Sequence, residues 1–188
     1  MLTANGLYEE VVIAGFGGQG VILAGKLLAQ TGMRADIEVT YMPSYGAEVR
    51  GGTANCMVIL SKKPIACPIV SKPNSLVICN KASLSKFAPR IRPGGLMIFN
   101  SSLIEKVHSV PEGVKVIGVP AEDIALQAGN PKSVNMVMLG AYLGRRGLLS
   151  PQQAAEALPD VLAERHHKTI PANAEALRLG AEYAISQP

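Results

Sequence analysis

The sequence predicts an α/β fold of Rossmann-like type: an open, mostly parallel sheet flanked by helices, with a helical C-terminal third. Three observations predict it. A β-branched run, Glu10–Ala14, leads through a glycine turn directly into an apolar helix. Strand-like runs then alternate with loops and one short helical piece as far as Val119. From Pro120 onward the apolar period changes from two to about 3.6.

Taken in order, Glu10–Ala14 reads as a buried strand and Val21–Ala35 as a helix whose polar residues, Lys26, Gln30 and Arg34, share one narrow stripe. Val39–Met42 is a second strand, running into a Gly- and Pro-rich loop, Pro43–Gly52. Thr53–Leu60, Leu76–Cys79, Leu96–Phe99 and Val114–Val119 complete the strands, with a helical piece at Lys81–Arg90. In the last third, Asn130-Pro131 reads as a cap and first turn opening an apolar helix, Lys132–Arg146. Ser150-Pro151-Gln152-Gln153 has capping-box spacing and starts another helix. The final helix places Ile170, Ala174, Leu177 and Ala181 on one face, opposite Glu175, Arg178 and Glu182. No repeat or linker interrupts the chain, so residues 1–188 are expected to form one domain.

Composition narrows the function. Apolar residues make up 48% and charged residues 17%, which leaves surface for burial against other subunits; an oligomer or complex is expected. The net charge of +4 is scattered, with no dense basic arm and few aromatics for bases to stack on, which argues against nucleic-acid binding. Cys56, Cys67 and Cys79 lie in separate runs without a C-x-x-C pair, so they read as reduced core thiols of a cytoplasmic protein. Val134–Leu143 is too short to span a bilayer, and Met1–Glu10 carries no signal-type apolar core. The adjacent His166 and His167 point about 100° apart on a helix and lack a third ligand, so they read as a polar helix end; no metal site is expected.

Two loops carry the chemistry. Gly15-Phe16-Gly17-Gly18-Gln19-Gly20 fits G-x-G-x-x-G between strand and helix, where glycines let backbone N–H groups approach a phosphate. Three readings stand: a phosphate-bearing ligand, NAD(P), or glycines that only allow close packing of helix on strand. For NAD the ribose-gripping acid is missing, because the second strand ends Thr40-Tyr41-Met42-Pro43. In the second loop, Pro43-Ser44-Tyr45-Gly46-Ala47-Glu48-Val49-Arg50-Gly51-Gly52, an extended segment would point Glu48 and Arg50 to one side. Arg50 suits a carboxylate or phosphate, Tyr45 offers a hydroxyl, and Gly51 and Gly52 allow close approach. The plainer reading is a surface Glu–Arg pair worth less than about 1 kcal/mol. Asn135, heading an apolar helix face, serves either a local hydrogen bond or a site or interface.

Together these loops resemble the gamma subunit of 2-oxoacid:ferredoxin oxidoreductases. The resemblance continues through Pro64-Ile65-Ala66-Cys67-Pro68, Asn135-Met136-Val137-Met138-Leu139-Gly140, and Asn173 with Gly180. The Ser-Tyr-Gly-Ala-Glu-Val-Arg-Gly-Gly wording looks most like the 2-oxoglutarate branch. The resemblance implies conversion of a 2-oxoacid and coenzyme A to acyl-CoA and CO2, with electrons passed to ferredoxin. It implies thiamine diphosphate, magnesium and iron–sulfur clusters on other subunits; neither a thiamine diphosphate signature nor a cysteine cluster set occurs here. It also implies that this chain, inactive and cofactor-free alone, shapes the thiamine or coenzyme A site with Gly15, Gly17, Gly18, Gln19, Gly20, Tyr45, Glu48, Arg50, Gly51, Gly52 and Asn135. Expected partners are thiamine-binding, 2-oxoacid-binding and ferredoxin-like chains, with a homodimer when isolated. The alternatives are a stand-alone NAD(P)- or nucleotide-binding enzyme and a regulatory module sensing acyl-CoA or nucleotide.

Overall fold

The computed structural model describes residues 6–44 and 53–188. Along the chain run β1 (Tyr8–Phe16), α1 (Val21–Arg34), β2 (Glu38–Ser44), β3 (Thr53–Ser61), β4 (Ser75–Ile78), α2 (Lys81–Phe87), β5 (Leu96–Asn100) and β6 (Lys115–Val119). α3 (Ala121–Gln127), α4 (Val134–Arg146), α5 (Pro151–Val161) and α6 (Ile170–Ser186) follow. A 3-10 turn, Ala88–Arg90, extends α2, and another, Glu164–Thr169, leads into α6.

The strands form one sheet in the order β2-β3-β1-β4-β5-β6. β1, β4, β5 and β6 pair in parallel, whereas β3 lies antiparallel between β1 and β2. Five strands therefore point one way and β3 alone runs back. This mixed sheet refines the expected mostly parallel one: the crossover through α1 skips a position, and β3 returns from β2 to fill it. The strand order consequently differs from the 3-2-1-4-5-6 of dinucleotide-binding folds.

Alternation along β1 sends Val11 and Ile13 into one core and Val12 and Ala14 into the other. The first core is built with α1, α3, α4, α5 and α6; the second with α2 and the irregular segments around Val70 and Ile104. α4 and α6 pack at backbone distance through glycines. A methyl on Gly140 would lie 2.1 Å from the Leu177 carbonyl oxygen, and one on Gly180 would lie 2.1 Å from that of Val137. The polar stripe of α1 faces α5: Gln30 Nε2 donates to Asp160 Oδ2 at 3.1 Å, and Arg34 donates to the Glu156 carbonyl at 2.7 Å.

At the amino ends of the strands, the buried Glu9 gathers Ser75 Oγ at 2.6 Å, Tyr142 Oη at 3.5 Å and Arg146 Nη2 at 2.5 Å. This network ties β1, β4 and α4 together. Next to it Glu10 pairs with Arg92, and its backbone N–H donates to Asn74 Oδ1 at 2.9 Å.

Several expectations need correction. α4 starts at Val134, because Asn130 closes the preceding turn instead of capping the helix: its Oδ1 accepts from Lys132 N at 3.1 Å. α3 was not expected. The buried stripe of α6 centres on Asn173, Ala176, Leu177, Gly180, Ala181 and Ala184, so Ile170 and Ala174 lie at its margin. Cys67 is exposed, in the segment after β3, and does not belong to the core that takes Cys56 and Cys79. The capping box at Ser150 is present as expected, with Gln153 N donating to Ser150 Oγ at 3.1 Å and Ser150 N to Gln153 Oε1 at 2.8 Å.

Candidate functional site: the carboxyl edge of the sheet

The glycine loop leaves β1 at the sheet's carboxyl edge. Gly15 is the penultimate residue of β1; Gly17 and Gly18 form a turn closed by Gln19 N donating to the Phe16 carbonyl at 3.2 Å. Gly20, at φ 72°, caps α1 in the left-handed region, where a side chain would be strained. The ends of β2 and β3 lie at this same edge, since Ser44 pairs with Asn55, and Thr53 with Phe16. The expected site residues Tyr45, Glu48, Arg50, Gly51 and Gly52 lie outside the described residues.

Gln19 turns inward. Its Oε1 accepts from Phe16 N at 2.7 Å and from Asn80 Nδ2 at 3.1 Å, while its Nε2 donates to the Cys79 carbonyl at 3.4 Å. Asn80 in turn caps α2, accepting from Ser83 N at 2.8 Å. One carboxamide thus joins the glycine turn to the end of β4 and the start of α2.

Asn135, in the first turn of α4, donates from Nδ2 to the Gly20 carbonyl at 3.1 Å. The structure therefore brings Gly15, Gln19, Gly20 and Asn135 together, and the plainer reading of Asn135 as a local hydrogen-bonding amide describes its contact. Behind it, Ser133 Oγ donates to Asn173 Oδ1 at 2.6 Å, so α6 braces the start of α4. This accounts for Asn173 as a buried polar residue in a helix–helix joint.

Three further polar residues at this edge were not picked out from the sequence. Asn80 and Asn100, at the ends of β4 and β5, are buried, and Asn100 Nδ2 donates to Glu122 Oε1 at 3.0 Å. The other carboxylate oxygen of Glu122 is buried without a hydrogen-bond partner. The only signal for Asn80 and Asn100 was position, each lying just past or at the end of an apolar strand-like run. Glu122 lies in the unexpected α3.

Burial pushes the Cys56 and Cys79 thiols up to about 12, with Cys79 adding to the effect on Cys56 and the Glu122 carboxylate to that on Cys79. Such thiols are protonated and unreactive at neutral pH. Among the described residues no group of three or more His, Cys, Asp and Glu side chains could hold a metal ion. His167 is engaged by the Leu162 carbonyl at 3.0 Å. No helix among the described residues is long and apolar enough to cross a membrane.

The glycine loop fits a dinucleotide poorly. A methyl on Gly15 would meet Gln19 Oε1 at 2.7 Å, and one on Gly20 would meet Asn135 Nδ2 at 2.5 Å. The space these glycines leave is taken by side chains of the chain itself. The second strand, moreover, ends in Met42-Pro43-Ser44, with no carboxylate for a ribose.

The family model described as pyruvate ferredoxin/flavodoxin oxidoreductase matches residues 10–183. The ketoisovalerate oxidoreductase subunit VorA of Methanothermobacter thermautotrophicus is 38% identical over 93% of this chain, but the chain spans only 36% of that relative's length. The 2-oxoglutarate synthase subunit KorC of Methanocaldococcus jannaschii is 32% identical over 81% of this chain and 82% of its own length. Among solved structures, the gamma subunit of a keto/oxoacid ferredoxin oxidoreductase from Geobacter sulfurreducens superposes with a TM-score of 0.80. It is 25% identical, covering 95% of this chain and 99% of its own. With residues 10–183 matched by the family model and the fold shared with a gamma subunit over 95% of its length, this chain belongs to the pyruvate ferredoxin/flavodoxin oxidoreductase family.

Proposed function

We propose that the chain is the gamma-type subunit of a 2-oxoacid:ferredoxin oxidoreductase and contributes one wall of an active site whose cofactors sit on other subunits. The complex converts a 2-oxoacid and coenzyme A to acyl-CoA and CO2 and passes electrons to ferredoxin. Thiamine diphosphate with magnesium and the iron–sulfur clusters belong to its thiamine-binding and ferredoxin-like chains. The observation that supports this reading is the pairing of Thr53 with Phe16 and of Ser44 with Asn55, which brings the end of β2 and the start of β3 to the same sheet edge as the glycine loop. In α/β sheets that edge is where ligands gather. Arg50 then meets an anionic group of the 2-oxoacid or coenzyme A.

The substrate proposed is 2-oxoglutarate. Its support is the wording of residues 44–52 and the likeness to KorC, a relative of comparable length. A second reading, ketoisovalerate, is favoured by the higher identity to VorA. Co-expression with the thiamine-binding and ferredoxin-like partners, followed by coenzyme A-dependent viologen reduction with each 2-oxoacid, separates the two. A higher kcat/KM for 2-oxoglutarate supports the first reading, and a higher value for ketoisovalerate replaces it with the second.

A further inference from the structure

The cations are spread along the sequence, but the fold gathers part of them on one side of the sheet. Residues 62–114 hold eight of the 18 Lys and Arg and only two of the 14 acids, Glu105 and Glu112. The three connecting segments of that stretch pack through Val70, Phe87 and Ile104 into the second core, so their charges lie on that face. At its amino end the cations cluster. Arg90 Nε donates to the Ser71 carbonyl at 3.3 Å, and Arg92 Nε donates to the Lys72 carbonyl at 2.6 Å. The Lys86 amine and the Arg90 guanidinium carbon stand 5.3 and 5.7 Å from the centroid of the Phe87 ring. Arg92 is paired with Glu10, whereas Lys72, Lys86 and Arg90 are exposed and make no ion pair among the described residues. Tyr8, 42% exposed, precedes Glu10 by two residues and so shares its face of β1.

We infer that Lys72, Lys86 and Arg90, with Tyr8 beside them, form a docking surface for an acidic face of another subunit. The inference rests on the proposed reading of the chain as part of a complex. Like charges held side by side repel one another, and a carboxylate-bearing surface relieves that repulsion. Arg90 is preorganised for such a partner. Its Nε is held by a backbone carbonyl, so the outer guanidinium nitrogens keep one direction and fork onto a carboxylate at little entropic cost. Tyr and Arg are residue types enriched in protein interfaces. Aromatics make up 4% of the chain, which leaves little for bases to stack on and disfavours a nucleic acid as the occupant.

The test is to titrate this chain onto its immobilised partner subunits, the thiamine-binding and ferredoxin-like chains, at low and high salt. The patch variant combines Lys72→Glu, Lys86→Glu and Arg90→Glu. A control combines Lys26→Glu, Arg165→Glu and Lys168→Glu, exposed cations outside the patch. The patch variant is expected to associate about tenfold or more weakly at low salt and with a flatter salt dependence, while the control stays near wild type. Lys72→Gln with Lys86→Gln leaves the Arg90 contact to Ser71 in place; it should fall in between, and it stands in if the reversal variant does not fold. Amide hydrogen exchange locates the contact: residues 70–74 and 86–92 should gain protection in the complex. Wild-type affinity and salt dependence in a folded patch variant overturn the inference and leave the proposed function standing. Equal weakening by the control does the same. Failure of the wild-type chain to associate at all overturns both. If the patch variant instead loses binding to phosphatidylglycerol vesicles with its subunit affinity intact, the surface belongs to a membrane and the inference falls.

Discussion

The Asn135 side-chain amide donates to the Gly20 carbonyl at 3.1 Å, linking residues 115 positions apart and fixing the start of α4 on the start of α1. Asn135 is buried, and Gly20 has no side chain, which leaves the room the Asn135 amide occupies: a methyl there would meet Nδ2 at 2.5 Å. Asn135→Ala removes this bond and should cost about 1 kcal/mol. That corresponds to a fall in Tm of roughly 2–4 °C for a chain of this size. Asn135→Asp should cost at least as much, since a carboxylate facing a carbonyl oxygen has no proton to donate. Thermal melts of the three proteins check this, and an unchanged Tm in both variants contradicts the contact.

The joint between α4 and α6 gives a larger effect. A methyl at Gly140 or Gly180 meets a backbone carbonyl at 2.1 Å, and backbone cannot swing aside as a side chain can. Gly140→Ala and Gly180→Ala should each lose about 1–3 kcal/mol or more by overpacking, although alanine has the better helix propensity. Urea unfolding measures this. Stabilisation by either substitution would show that the helices are not held at backbone distance.

Arg146 is the ionic partner of Glu9, whose side chain is almost wholly inaccessible. Arg146→Ala leaves a buried carboxylate unpaired and should cost about 3–5 kcal/mol. The double replacement Glu9→Gln with Arg146→Met removes both charges and should recover much of that loss. A double variant no more stable than the single one contradicts the assignment of the cost to an unpaired charge.

Cysteine reactivity separates the three thiols. Cys56 and Cys79 are buried, with both thiols pushed up to about 12, so they stay protonated at pH 8; Cys67 is exposed. Brief iodoacetamide treatment of the native chain should add one adduct, at Cys67, and urea should expose the other two. Adducts at Cys56 or Cys79 in the native chain contradict their burial.

These contrasts also mark what the sequence can disclose. The runs that became β1, β3, β4, β5 and β6 were legible because buried strands are short, β-branched and bounded by turns. The reversal of β3 was not, since Thr53–Ser61 has the same apolar character whichever way it runs. α3 went unread because it is only seven residues long and lacks a side-chain cap. At the site, the spacing of the glycines was plain, but the contact that gives Gln19 its role is with Asn80, 61 residues away. The bond from Asn135 to Gly20 is equally remote, so the residue type suggested a buried amide without naming its partner.

Arg50 carries the proposed anion contact. In the assembled complex, Arg50→Ala should raise the KM of one substrate, the 2-oxoacid or coenzyme A, by about ten- to a hundredfold through loss of a charge-assisted hydrogen bond. Arg50→Lys should restore it in part, because an ammonium lacks the planar fork. Kinetics with each substrate varied in turn identify the ligand, and size-exclusion chromatography checks assembly. Unchanged constants place Arg50 away from the site, and loss of assembly makes it an interface residue.

The central claim is that this chain is an obligatory, non-redox part of a 2-oxoacid oxidoreductase. Drop-out reconstitution tests it most directly: 2-oxoacid- and coenzyme A-dependent viologen reduction is measured with the full set of subunits, without this chain, and with this chain alone. The predicted result is turnover by the full set, little or none without this chain, and none by the chain by itself. Undiminished turnover in its absence, or turnover by the isolated chain, would contradict the account.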